Sequence, residues 1–175
     1  MRRRRPRAGD IRHRRAHGGA GQHGTEQCAA QPLLTLSAAD LDGFEKGIAR
    51  EIELVREAAD RASKATTPES RGEATQAGFE TNTIPAAAPR TGLSRERYQI
   101  VRRTLSTILT TLDFQEKIDG PQSIDPATAD AAMKARLAAD PYSALDPASA
   151  DAFKARLGRI VPVWVEYVTL TAVSG

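Results

Sequence analysis

The chain has 175 residues, room for one domain of ordinary size or a smaller domain with tails, and too few for two large ones. Its hydrophobic fraction is 40 %, but 30 of those residues are alanine, and Leu, Ile, Val and Phe together number 33, so part of the chain is expected to lack a core. The net charge of +3 is unevenly placed. Eight of the 25 basic residues and two of the 22 acidic ones fall within residues 1–30, leaving 17 basic against 20 acidic in the rest. Any electrostatic argument about partners therefore applies to the N-terminal stretch and not to the body.

Residues 1–35 read as a disordered Arg-rich arm, because Met1 and Ile11 are the only large apolar side chains within residues 1–30 and cannot offset chain entropy. Arg2, Arg3, Arg4, Arg5, Arg7, Arg12, Arg14 and Arg15 are its candidate nucleic-acid contacts, with up to eight phosphates engaged and steep salt dependence. It lacks the interleaved aromatics that stack on bases. The alternatives are a solvated tail and a misassigned start, since 20 Arg to 5 Lys is what GC-rich codons supply. No apolar run of a secretory signal follows the arginines. The charge-free stretches Ile160–Val165 and Tyr167–Gly175 fall short of the ~20 residues that a membrane span needs. The expectation is a cytoplasmic protein without a membrane span, or an envelope protein if the start is misplaced. Cys28, the only cysteine, allows no intrachain disulfide and reads as incidental.

Residues 36–65 read as one amphipathic helix. Ser37 is its N-cap, Leu36 and Leu41 form a hydrophobic staple, and Leu41, Phe44, Ile48, Ile52 and Val55 recur at steps of three and four. These five residues are the candidate interaction face. Gly43 and Gly47 form a GxxxG that in a soluble helix is more often chance than a packing device. Residues 66–92, with three prolines, three glycines and no sustained periodicity, read as a flexible linker.

Residues 93–175 are expected to form a three-helix bundle. Ser94 caps the first helix, with Leu93 and Tyr98 as staple; Tyr98, Val101, Leu105, Ile108, Leu109 and Leu112 mark its buried face, and Asp119, Gly120 and Pro121 end it. A duplication follows: DPATADAAMKARL from Asp125 aligns with DPASADAFKARL from Asp146 at ten identities. Each copy begins Asp-Pro, an N-cap with proline at N1, so each predicts a helix start. The second copy runs on through Val161, Trp164 and Val168 as a terminal helix kinked at Pro162. A strand is the competing assignment for 160–173, and Glu166 discriminates, because only a helix turns it away from Trp164.

His13, His17 and His23 all lie in the arm with Cys28, so the body has no imidazole base, thiolate nucleophile or His/Cys metal ligand. No glycine-rich phosphate loop occurs either. Asp113, Glu116, Asp119 and Asp125 do not match a calcium loop; Asp125 reads as a cap and the others as solvated surface. Trp164 and Tyr167 read as core rather than groove lining. The expectation is an all-α protein with no cofactor, metal or catalytic site: a non-enzymatic helical scaffold or protein-interaction module that binds a protein partner or a second copy of itself through an apolar helix face. A nucleic-acid-associated protein using the arm is the alternative.

Overall fold

A computed structural model describes residues 32–121 and 127–173. The residues of the Arg-rich arm up to Gln31, with its eight arginines, three histidines and Cys28, lie outside the described residues, as does Asp125. Seven helices are described: α1 (Ala38–Lys64), α2 (Pro68–Ala77), α3 (Glu80–Thr91), α4 (Arg95–Phe114), α5 (Ala131–Ala138), α6 (Pro147–Lys154) and α7 (Leu157–Val173). The protein is all-α.

α1 begins where its capping signal places it. Ser37 Oγ accepts from the Asp40 amide at 3.2 Å, and Asp40 returns a bond to the Ser37 amide at 2.7 Å, closing a capping box. The five residues of the expected interaction face are all buried inside the chain. The reason is that α1 is the central helix, packed against α2, α3, α4 and α7. Its apolar stripe builds the core with Val101, Leu105, Leu109, Phe153, Ile160 and Trp164. Leu41, Phe44, Ile48, Ile52 and Val55 are therefore not open to a partner.

Residues 66–92 differ from the expected linker. Thr67 caps α2 with Pro68 at its first turn, and α3 contains Pro85 and Pro89. Two prolines remove backbone donors, so α3 is intrinsically poor and its stability is tertiary. Ala87 and Ala88 are buried against Tyr98, with Leu54, Ile84 and Leu93 packed around them. Gly92 ends α3 at a φ of 77°, a left-handed conformation that a side chain would resist. Small residues also serve α1. A Cβ added at Gly43 would lie 2.6 Å from Leu93 Cδ1, and one at Gly47 would fall on the Tyr98 ring and hydroxyl. The GxxxG that reads as chance is the seat on which the α3–α4 junction rests.

α4 buries Tyr98, Val101, Leu105, Ile108, Leu109 and Leu112, as their spacing predicts, but ends at Phe114, before the expected stop. The left-handed residue there is Glu116 and not Gly120. Asp113, expected on the surface, is buried, and Gly120 lies so close to its carboxylate that a Cβ would collide with it. The duplicated starts diverge as well. Asp146 caps α6 with Pro147 at N1, whereas α5 starts at Asp130, whose carboxylate accepts from the Met133 amide at 2.7 Å. The second copy is two helices, α6 and α7, broken near Ala155; Pro162 sits inside α7. Glu166 is exposed while Trp164 is buried, the helical outcome.

The segment before α1 is tied to the start of α6. Leu34 bridges Leu145, with its amide donating to the Ala144 carbonyl at 2.9 Å, and the Leu36 amide donates to Ser149 Oγ at 2.7 Å. Among the described residues no helix is long and apolar enough to cross a membrane.

Candidate functional site

The stripe of α1 holds a charge. Glu51 lies three residues after Ile48 and four before Val55, and so on the buried face, where it is fully enclosed. On α4, Arg102 stands between Tyr98 and Leu105 on the face that meets α1 and is 3 % exposed. The two form an ion pair: Arg102 Nε donates to Glu51 Oε1 at 3.0 Å and Nη2 to Oε2 at 3.1 Å. The Tyr98 hydroxyl donates a short bond to Glu51 Oε1. Arg102 Nη2 also reaches Glu80 Oε1 at 3.2 Å, Nη1 donates to Ser106 Oγ, and the guanidinium lies 4.7 Å over the Tyr167 ring. Tyr167 in turn donates to Glu80 at 3.0 Å. One cluster thus joins α1, α3, α4 and α7.

Its electrostatics follow from enclosure. Burial, with Glu51 beside it, pushes the Tyr98 phenol far above its ordinary range, and burial likewise raises Tyr167. Burial works against the Arg102 cation, but the Glu51 charge outweighs it and holds the guanidinium protonated. Phenols held protonated and a guanidinium held charged exchange no proton near neutral pH. This cluster braces the helices.

The outer side of the brace is a cavity of about 540 Å³ between α3, α4 and α5. One face of α4 supplies Gln99, Arg102, Arg103, Ser106, Thr107 and Thr110; α3 adds Glu80 and Thr81, and α5 adds Arg136. α5 buries no residue of its own. It is held by Gln115 Nε2, which donates to the Leu137 and Ala139 carbonyls at 2.9 and 2.8 Å, and by Arg136 stacked 5.4 Å over the Phe114 ring.

A second feature is the outward side of α7. The helix buries Ile160, Trp164 and Tyr167, while Val161, Val163, Val165, Val168 and Leu170 are half-buried. Between Ile160 and Ala172 its one charged side chain is Glu166, which pairs with Arg56 of α1. Trp164 is core, as its sequence context predicts. Tyr167 is core on one side and a wall of the buried cluster on the other.

The sequence-level candidates separate cleanly. The eight arginines lie outside the described residues, and the α1 face is internal. Among the described residues no group of His, Cys, Asp or Glu is arranged to hold a metal ion. Sequence reasoning missed Glu51 and Arg102, although a signal exists: each is a charged residue set on an apolar helical stripe. No protein-family model, curated protein or solved structure matches this chain.

Proposed function

We propose that the protein is a non-enzymatic helical interaction module whose contact surface is the outward side of α7, with a second copy of the chain as partner. The observation that supports this is the composition of α7. A helix apolar on nearly all sides is normally enclosed, yet here Ile160, Trp164 and Tyr167 are buried while Val161, Val163, Val165, Val168 and Leu170, which pack against the core, stay only half-buried. The α1 stripe, taken up by the core, is replaced in this role by Val165 and its neighbours. The absence of histidine and cysteine from residues 29–175 accords with a binding rather than a catalytic role. Sedimentation velocity across a wide concentration range tests the reading. The expected result is reversible association that is lost on Thr169→Arg, a change at an exposed α7 position, with helix content unchanged. A parent protein that stays monomeric throughout, or association unaffected by the variant, refutes it.

A second reading, nucleic-acid association through the arginines of residues 1–15, rests on the separation of charge along the chain. It requires affinity that collapses with salt and disappears when those residues are removed.

A further inference from the structure

We propose that the cavity between α3, α4 and α5 is a binding site for a small phosphorylated polyol, a soluble phosphomonoester with several hydroxyls. Two of its three guanidiniums, Arg103 and Arg136, have no carboxylate partner among the described residues. The third, Arg102, is fixed from behind. Nε bonds Glu51, Nη2 bonds Glu51 and Glu80, and Nη1 bonds Ser106, so four of its five N–H groups are engaged and one on Nη1 remains. A guanidinium immobilised in this way presents that donor without loss of rotamer freedom when a ligand arrives. Arg102, Arg103 and Arg136 all line the one cavity, and planar guanidiniums suit phosphate oxygens, which accept paired charge-assisted bonds.

Of the rest of the lining, Ile84 and Pro85 form an apolar edge, and the polar side chains select the remainder of the ligand. Ser106 accepts from Arg102, which leaves its own O–H free to donate, and the side chains of Thr81, Gln99 and Thr110 make no hydrogen bond to another described residue. These groups match hydroxyls. No aromatic ring lines the cavity, so a nucleobase would find no stacking platform. The volume of about 540 Å³ lies in the range of small-molecule pockets and far exceeds a bare phosphate ion. Glu80 is the one carboxylate of the lining, and its bonds to Arg102 and Tyr167 hold it at the wall. An anion entering the cavity is repelled by it.

Isothermal titration calorimetry on the full chain tests the site with glycerol 3-phosphate, glucose 6-phosphate, inositol 1-phosphate, inorganic phosphate and glucose. At least one of the three phosphomonoesters is expected to bind about tenfold or more tighter than inorganic phosphate, with no binding of glucose. The double variant Arg103→Gln/Arg136→Gln is expected to weaken that ligand by about tenfold or more, and Arg103→Gln alone, at an exposed position that holds no helix in place, is expected to weaken it in the same direction at unchanged helix content and melting temperature. Glu80→Gln is expected to tighten it, an effect opposite in sign to loss of a merely structural contact. Absence of binding by all three phosphomonoesters at millimolar concentration overturns the proposal. So does equal affinity for inorganic phosphate, which would mark an adventitious anion only, and so does unchanged affinity in the double variant.

Discussion

Replacing Arg102 with methionine tests whether the enclosed ion pair is the brace described above. Glu51 is fully buried and accepts from Arg102 through both of its oxygens. In Arg102→Met only the Tyr98 hydroxyl remains to solvate that carboxylate. Leaving a buried charge uncompensated costs about 3 to 5 kcal/mol, a large share of the 5 to 15 kcal/mol that holds a typical domain together. For a domain of this size each kcal/mol lowers the melting temperature by about 2 to 4 °C, so a fall on the order of 10 °C is expected. Glu51→Leu is expected to destabilise as well, because it leaves the enclosed guanidinium with only the largely exposed Glu80 as counter-charge. The double variant Glu51→Leu/Arg102→Met removes both charges and leaves neutral donors and acceptors such as the Tyr98 hydroxyl and Ser106, at a cost of about 1 to 3 kcal/mol. The three variants are compared with the parent by urea denaturation followed by far-UV circular dichroism. Strong non-additivity, with the double variant more stable than either single, is the expected result. A single variant within about 1 kcal/mol of the parent, or a double variant equal to the sum of the singles, refutes the assignment.

Two glycines in helices should respond in opposite directions to alanine. Gly47→Ala drives a methyl into the Tyr98 ring and hydroxyl, an overpacking cost of about 1 to 3 kcal/mol that exceeds the roughly 1 kcal/mol gained in helix propensity, whereas Gly72 in α2 has nothing within 4 Å and should gain about 0.5 to 1 kcal/mol; paired urea midpoints decide it. Asp40 supplies a pH signature. Arg97 donates to both of its oxygens at 2.7 and 2.8 Å and holds the carboxyl well below the usual carboxylate range. Its stabilisation is therefore complete above the ordinary carboxyl pKa of about 4 and is lost as pH falls below it. Asp40→Asn should cost about 1 to 2 kcal/mol at pH 7 and progressively less towards pH 2, measured as the gap between the two stability curves.

What the sequence made legible was local. Ser37, Ser94 and Asp146 start helices at their predicted places because an N-cap is a contact over three residues, readable without knowing the fold. The faces of α1 and α4 were legible for the same reason, their periodicity being continuous over several turns. Helix α3 was not, because Pro85 and Pro89 offset the helix preference of Ala86, Ala87 and Ala88 and the segment acquires its conformation by packing against α1 and Tyr98, while in α2 the Thr67–Pro68 start was readable but no apolar stripe followed it. The Glu51–Arg102 pair was hidden for a different reason. A charge on an apolar stripe shows its meaning only when the opposite charge is known to face it, and 51 positions separate the two. Gly47 belongs with them: its spacing to Gly43 was visible, but only the position of the Tyr98 ring gives that spacing a use.

The duplication shows how far context outruns local sequence. Arg136 and Arg156 occupy matched positions, as do Met133 and Phe153. In the second copy Ser149 Oγ accepts from the Leu36 amide, which draws α6 against the start of α1; Phe153 is buried, and Arg156 reaches Asp42 and Glu45 of α1. In the first copy the helix starts at the later aspartate, buries nothing of its own, and leaves Met133 half-exposed. Arg136 has no acid there and lies over Phe114 at the edge of the cavity. Burial of Phe153 releases roughly 1.5 to 3 kcal/mol that α5 does not obtain. The anchored copy is part of the scaffold, and the copy held by Gln115 and a ring contact leaves its arginine without a carboxylate partner among the described residues.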